Sequence, residues 1–260
     1  MTKHQSIGAQ FEEYVAIIRR LRKDCPWDRQ QTHESLRPHL IEEAYETVET
    51  IDFKNWHELK VELGDLLLHI ILHTVMAEEE KSFALEDVLA SAVDKMIRRH
   101  PHVFSDTVPL TADEVSHRWE SLKMQEGRTS ALDGVPNSLP GLLRAFRLQD
   151  KASKVGFDWN DRKDVIKKIH EEIGELEASC IQGDQNEMER EFGDLLFSLV
   201  NYARFLKINP EIALRHTMEK FSRRFRMIEE ELRRQGKTPN DSSLAEMDTL
   251  WEEIKKKEKQ

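Results

Sequence analysis

Acidic residues at a helical spacing occur twice in this chain of 260 residues. In the second half, Glu172 and Glu175 are followed by a fifteen-residue spacer and then by Glu191 and Asp194. The first half carries the same pattern 129 positions earlier (191 − 62), at Glu43, Glu46, Glu62 and Asp65. A set of carboxylate oxygens suits a hard divalent cation, Mg²⁺ or Mn²⁺, which commonly takes its remaining ligands from substrate phosphates. The acidic pattern therefore predicts, in each half of the chain, a metal site suited to phosphate chemistry.

The spacing also predicts the elements that position these carboxylates. Residues three apart on a helix lie on the same face, and fifteen residues suffice to finish one helix, turn, and begin an antiparallel partner. Four carboxylates on two facing helices repel one another unless a cation joins them. The alternative is a solvated acidic face. It is disfavoured because the second pair of each set leads into an apolar run, Leu66–Leu68 or Leu195–Phe197, which is typical of core.

Composition and the repeat together predict an all-α protein made of two related helical units. Glycine (10) and proline (8) are scarce, and 38% of the residues are hydrophobic, which is enough for a sizeable core. The turn-forming cluster Asp133–Asn137 marks the predicted boundary. The units are therefore predicted to span residues 1–132 and 133–260.

The net charge of −10 argues against a general nucleic-acid surface, although it does not exclude a small anionic substrate that arrives with its metal. The two cysteines, Cys25 and Cys180, lack the spacing of a zinc site or a disulfide framework. No apolar stretch reaches the roughly 18 residues of a membrane span, and the first ten residues lack a signal-peptide pattern. These features predict a soluble cytoplasmic protein without a membrane partner.

Apolar periodicity and breaking residues predict eight long helices. They cover residues 9–23, 36–51, 57–79, 84–100, 138–153, 161–180, 185–207 and 210–235. The acidic pairs fall on the second and third helices of the first half and on the corresponding helices of the second half.

The two halves differ beside the carboxylates. Asn201 follows Asp194 by seven residues and lies on the same face, whereas the first half has Leu72 there. One turn before Glu172 is Lys168, a phosphate-type cation, and its counterpart is His39. These differences favour the second half as the working site. Because the first half keeps its four carboxylates, the sequence leaves open whether it also turns over a substrate.

With these motifs laid out, the chain resembles the MazG family of nucleoside triphosphate pyrophosphohydrolases, in the tandem form found within the all-α NTP pyrophosphatase superfamily. The resemblance is carried by both carboxylate sets and by the segments Cys25–Asp28, Thr32–Arg37, Glu42–Glu46 and Val155–Trp159. It implies Mg²⁺-dependent hydrolysis of a nucleoside triphosphate to the monophosphate and pyrophosphate. Broad specificity for NTPs and dNTPs would suit a housekeeping role. The resemblance also implies four-helix-bundle domains completed by homodimerisation, with the C-terminal unit catalytic.

The expected site follows from the resemblance and from the polar row of the second half. Glu172, Glu175, Glu191 and Asp194 are expected to hold Mg²⁺, with Mn²⁺ as a substitute and Glu175 orienting the attacking water. Lys168, Lys220, Arg223 and Arg224 are expected to neutralise the departing pyrophosphate. Trp251 either stacks on the base or closes the pocket. The complete set of expected nucleotide contacts is Lys168, Glu172, Glu189, Arg190, Asp194, Asn201, Lys220, Arg223, Arg224 and Trp251.

Two alternatives belong to other classes of protein. A carboxylate-bridged di-iron bundle would use similar helices, but its motif requires Glu-x-x-His where this chain has Glu or Asp in the last position. A helical adaptor would bind another protein and would need no metal. Neutralising the second-half carboxylates would leave its function intact.

Overall fold

The computed structural model describes residues 6–105 and 129–258, together with residues 111, 114, 115, 118, 119 and 122. Throughout this part of the chain the regular structure is helical, which confirms the all-α prediction. The chain divides into two compact units, residues 1–110 and 111–260. The predicted boundary between residues 132 and 133 falls inside the second unit and stays a prediction. Residues 106–110 and most of 112–128, in the predicted connection, lie outside the described residues.

The first unit contains five helices among its described residues. They are α1 (Ile7–Asp24), α2 (His33–Asp52), α3 (Trp56–Glu79), α4 (Leu85–Arg99) and the short α5 (Pro101–Phe104), with a 3₁₀ turn at Asp28–Gln30. Helix α3 packs against α1, α2 and α4. The buried core at these contacts includes Ile18, Leu36 and Ile71. This packing brings the acidic faces of α2 and α3 together.

Helix α2 begins three residues earlier than predicted, and its cap explains the difference. The Thr32 side chain accepts a hydrogen bond from the backbone N–H of Ser35, and the Ser35 hydroxyl accepts one from the backbone N–H of Thr32. This reciprocal pair satisfies two amides that a helix terminus would otherwise leave unpaired. The predicted start at Leu36 is the first buried apolar residue of the helix, whereas the helix itself begins directly after the capping residue Thr32.

The second unit repeats the plan over its described residues. Its helices are α6 (Gly141–Lys154), α7 (Arg162–Gln182), α8 (Gln185–Phe205), α9 (Pro210–Arg234) and α10 (Leu244–Lys257), with a 3₁₀ turn at Pro239–Asp241. Helix α8 packs against α6 and α7, while α9 and α10 form a pair around Ile228, Leu232 and Ile254. Helix α10 lies in the charged tail, for which periodicity predicted no helix.

The connection between α7 and α8 is only two residues long. Gly183 has a φ of +72°, a conformation that glycine adopts without strain, and it ends α7. Asp184 then caps α8 by accepting hydrogen bonds from the backbone N–H groups of Asn186 and Glu187, at 2.9 and 3.3 Å. The two helices are therefore antiparallel neighbours, and the carboxylates of one face those of the other.

Across the described residues, no helix is long and apolar enough to span a bilayer.

Candidate active site

Three carboxylates meet between α7 and α8. Glu172 and Glu175 lie on α7, Glu191 lies on α8, and each offers an oxygen within 4.8 Å of the other two. Glu172 is buried at 4% exposure, Glu191 is half-buried and Glu175 is exposed. Asp194 lies one turn beyond Glu191 and is not part of this close group, but it lines the adjacent cavity together with Glu172. The helical spacing thus brings three of the four predicted ligands into one group.

The first unit has an equivalent group between α2 and α3, formed by Glu43, Glu46 and Glu62. Burial raises the pKa of Glu43, and the neighbouring charges of Asp65 and Glu46 raise it further. Burial raises the pKa of Glu62 as well, with Glu46 and Asp65 again adding to the effect. Burial and neighbouring negative charges both disfavour ionisation of these carboxyl groups. A bound cation would offset this repulsion, so the group formed by Glu43, Glu46 and Glu62 is suited to hold one.

Lys168 lies beside the carboxylate group of the second unit. Its Nζ lies 2.7 Å from a carboxylate oxygen of Glu172 and 2.7 Å from one of Glu171. These hydrogen bonds, to Glu171 and then Glu172, raise the pKa of Lys168 well above its usual value, so the ammonium stays charged. Loss of surrounding water raises the pKa of Glu175, against the lowering influence of Lys168. The site therefore places a fixed positive charge beside its carboxylates.

A cavity of about 880 Å³ opens beside these residues, within the second unit. Its lining comes from α6, α7, α8, the α6–α7 loop and the segment before α6. The lining residues are Leu132, Leu148, Gln149, Ala152, Gly156, Phe157, Asp158, Trp159, Val165, Lys168, Glu172, Asp194, Phe197, Ser198, Asn201 and Arg204. Four of the predicted nucleotide contacts are among them: Lys168, Glu172, Asp194 and Asn201.

The cavity has two chemically different ends. Along α8 it extends from Asp194 to Arg204, which corresponds to about 15 Å of helix. Glu172 and Asp194 lie towards the α7–α8 turn, and Lys168 lies one helical turn further from it on α7. The opposite end is lined by the loop between α6 and α7, which contributes Phe157 at 82% exposure and Trp159 at 46%. A ligand that has a flat apolar part, and an anionic part that arrives with a divalent cation, matches this arrangement.

An ion pair fixes the loop that carries these aromatic residues. Asp158 lies between them. Its two carboxylate oxygens accept hydrogen bonds from the two terminal guanidinium nitrogens of Arg204 on α8: Oδ2 from Nη1 at 2.9 Å, and Oδ1 from Nη2. Arg204 also donates to the side-chain oxygen of Asn201, at 2.9 Å from its terminal nitrogen. Both members of the pair are mostly shielded from solvent. Such a bidentate guanidinium–carboxylate contact fixes the orientation of the Asp158 side chain as well as its distance from Arg204.

The other predicted nucleotide contacts lie away from the cavity lining. Arg223 and Arg224 on α9 bind the two carboxylate oxygens of Glu258, at 2.7 and 2.6 Å. Trp251 packs into the α9–α10 core, with its ring 5.5 Å from that of Phe221 and the Arg224 guanidinium 5.3 Å from its centre. Glu189, Arg190 and Lys220 are exposed, and Arg190 pairs with Glu187. The nucleotide roles of these residues stay predictions.

Sequence reasoning gave no role to several residues of the cavity wall. Asp158 and Trp159 belong to the segment Val155–Trp159 that carried the family resemblance, so that motif was the available signal. Arg204 pairs with Asp158 across 46 positions, and Gln149 contacts a backbone carbonyl of another helix, so neither leaves a pattern in the sequence. Both emerge only from the packing of α6, the loop and α8.

The donor set fits a hard divalent cation. Both close groups found among the described residues consist of carboxylates alone, without histidine. This composition fits Mg²⁺ or Mn²⁺ and departs from the Glu-x-x-His pattern of di-iron bundles. In the second unit, Glu172, Glu175 and Glu191 would hold the ion, with Asp194 beside them.

Comparison with known proteins identifies the family. Residues 31–104 and 161–228, which contain both carboxylate groups, match the MazG nucleotide pyrophosphohydrolase domain. The chain belongs to the MazG family. The family resemblance and the prediction of an enzyme are both confirmed, because the family is one of pyrophosphohydrolases. The two matched segments fall one in each unit, as the tandem repeat predicted.

Relatives in the MazG family align over nearly the whole chain. A Thermotoga maritima protein described as nucleoside triphosphate pyrophosphohydrolase/pyrophosphatase MazG is 44% identical over 253 residues, covering 95% of this chain and 96% of the relative. The nucleoside triphosphate pyrophosphohydrolase of Escherichia coli K12 is 41% identical over 258 residues, covering 96% and 98%. The Bacillus subtilis protein YabN is 45% identical over 256 residues, which cover 96% of this chain and 52% of YabN.

Proposed function

We propose that this chain hydrolyses nucleoside triphosphates to nucleoside monophosphate and pyrophosphate, with Mg²⁺ or Mn²⁺ as cofactor, at the cavity of the second unit. One observation carries the proposal. The carboxylate group, Lys168 and an aromatic-rimmed cavity are contiguous there, which supplies separate places for metal, phosphate and base. Membership of the MazG family and the names of the relatives support the reaction.

The residues of the site take different parts in this reaction. Glu172, Glu175 and Glu191 would hold a divalent ion, which would neutralise charge on the triphosphate and lower the pKa of water. Lys168 offsets negative charge that develops on the leaving pyrophosphate, since its ammonium is held at the cavity wall. Glu175 is the most exposed member of the close group, and we assign it the orientation of the attacking water. Attack at the α-phosphorus breaks the α–β anhydride bond and releases pyrophosphate.

The direct test is product analysis with purified protein, Mg²⁺ and a panel of NTPs and dNTPs. We expect pyrophosphate and monophosphate in equal amounts, with broad acceptance of both sugars. Release of inorganic phosphate with diphosphate would instead indicate cleavage of the β–γ bond. Absence of products from every nucleotide would overturn the enzymatic assignment and favour the adaptor.

We also propose that the chain works as a homodimer. The exposed residues Phe192, Leu196 and Leu199 recur at a helical spacing on α8. An apolar row of this kind on a solvent face is typical of an association surface. One chain has a mass of 30.5 kDa, and light scattering at micromolar concentration should give twice that value. A monomeric mass together with full activity would contradict this proposal.

A further inference from the structure

Arg223 and Arg224 on α9 converge on one carboxylate, that of Glu258 at the C-terminal end of α10. Arg223 donates to Oε1 from its Nε and Nη2, at 3.2 and 2.7 Å. Arg224 donates to Oε2 from the same two nitrogens, at 2.9 and 2.6 Å. Four N–H groups therefore surround two oxygens. Guanidinium groups with paired N–H donors match phosphate oxygens as well as they match a carboxylate.

The charges at this contact favour an anion stronger than a carboxylate. Hydrogen bonds from Arg224 and then Arg223 lower the pKa of Glu258, so its carboxylate is charged at neutral pH. Two guanidinium groups nevertheless share this one negative charge, and the exposed Lys220 lies one turn earlier on α9. A phosphate group carries up to about two negative charges and three acceptor oxygens. These are also the arginines expected from the sequence to neutralise departing pyrophosphate.

The packing of α10 and the position of Arg224 have support that is independent of Glu258. Ile254 of α10 and Leu232 of α9 belong to one buried apolar cluster. The Arg224 guanidinium lies 5.3 Å from the centre of the Trp251 ring, and its side chain is only 12% exposed. A negative charge at the C-terminal end of a helix is also disfavoured by the helix dipole. The Glu258 carboxylate can therefore leave while the helix pair and the Arg224 side chain stay in place.

We propose that Glu258 is an internal competitor for phosphate. In the free protein its carboxylate occupies the pair formed by Arg223 and Arg224, and a phosphate group that binds there displaces it. The end of α10 thereby weakens phosphate binding on α9. The ligand is a phosphate group of free pyrophosphate or of a nucleotide. The choice of ligand rests on the proposed function, but binding is measured without turnover, so the two can fail separately.

The test is calorimetric titration of the full chain with inorganic pyrophosphate in EDTA, so that no metal ion carries the ligand to the carboxylates of α7 and α8. Glu258→Gln keeps the size of the side chain and removes its charge, so the Kd for pyrophosphate should fall about tenfold. Glu253→Gln makes the same exchange at an exposed position of α10 and should leave the Kd unchanged. An unchanged or higher Kd in Glu258→Gln would overturn the inference.

A second substitution assigns the gain in affinity to the arginine pair. The Arg223 side chain is 64% exposed, so Arg223→Gln removes a donor without disturbing the core. In the double variant Glu258→Gln/Arg223→Gln, the Kd should return at least to the wild-type value. If the double variant kept the tighter binding, pyrophosphate would bind elsewhere and the inference would be wrong. A lower Tm in Glu258→Gln with an unchanged Kd would make Glu258 a structural tether of α10 and nothing more.

Titration with ATP under the same conditions distinguishes the two sources of phosphate. A gain in affinity for both ligands would identify the phosphates of a nucleotide, and a gain for pyrophosphate alone would identify the free product. A chain that binds pyrophosphate as described but hydrolyses no nucleotide with Mg²⁺ would support this inference and refute the proposed function.

Discussion

Replacing Glu172 by glutamine is expected to lower pyrophosphate release at least about a thousandfold. Glu172 is the most buried member of the close group, and it links that group to Lys168 and to the cavity. Glutamine keeps the size and one oxygen but removes the charge that a divalent cation requires. The measurement is steady-state pyrophosphate release with saturating Mg²⁺ and ATP, alongside circular dichroism to establish that the helices persist.

Two matched variants make this result interpretable. Glu177→Gln exchanges the same groups on the exposed face of α7 and should retain the wild-type rate. Glu43→Gln alters the position 129 residues earlier in the repeat, and a loss of less than about tenfold is expected if the second unit does the work. An equal loss in Glu43→Gln and Glu172→Gln would mean that both carboxylate groups are required. Full activity in Glu172→Gln would show that the Glu172 carboxylate takes no part in the reaction.

Removing the divalent metal should reduce pyrophosphate release as strongly as Glu172→Gln does. Without a cation the three carboxylates of the second unit would repel the triphosphate, and Lys168 alone carries too little charge to offset them. Treatment with excess EDTA is expected to reduce pyrophosphate release by at least about a thousandfold, and either Mg²⁺ or Mn²⁺ should restore it.

The helical content provides the control for metal removal. The hydrophobic cores of the two units consist of apolar side chains and include none of these carboxylates, so ellipticity at 222 nm should stay unchanged in EDTA. Activity that persists in EDTA would contradict the metal assignment. Restoration by iron(II) alone, with Mg²⁺ and Mn²⁺ ineffective, would favour the di-iron alternative instead.

The parts of this protein that sequence predicts well are those determined by local spacing. Glu172 and Glu175 share a face because they are three residues apart on one helix, and Lys168 reaches Glu172 because it lies one turn earlier. The helix boundaries follow from residues such as Gly183 and Asp184, whose preferences are intrinsic. These features need no knowledge of how the helices pack.

The remaining parts depend on packing between segments distant in the sequence. The spacing alone puts Asp194 on the face of Glu191, but the way α8 meets α7 decides that the close group comprises only three carboxylates. Gln149 acquires its orientation from a backbone carbonyl of α8, an atom that every residue possesses. Trp251 lies against α9, a contact that depends on how α10 packs onto that helix. Such contacts are set by three-dimensional arrangement and leave no periodic signal.

The pairing of Asp158 with Arg204 also bears on how fast a ligand is captured. Asp158 stands between Phe157 and Trp159, so one ion pair restrains both rings before anything binds. Ordering a free loop on binding costs roughly 1 kcal/mol or more of conformational entropy per residue. Here the loop is already ordered in the folded protein, so this entropy cost falls on folding and not on binding. A nucleotide that binds here as we propose would meet an aromatic surface already in position, and we expect its association rate to be set by encounter and entry, without a loop-closing step.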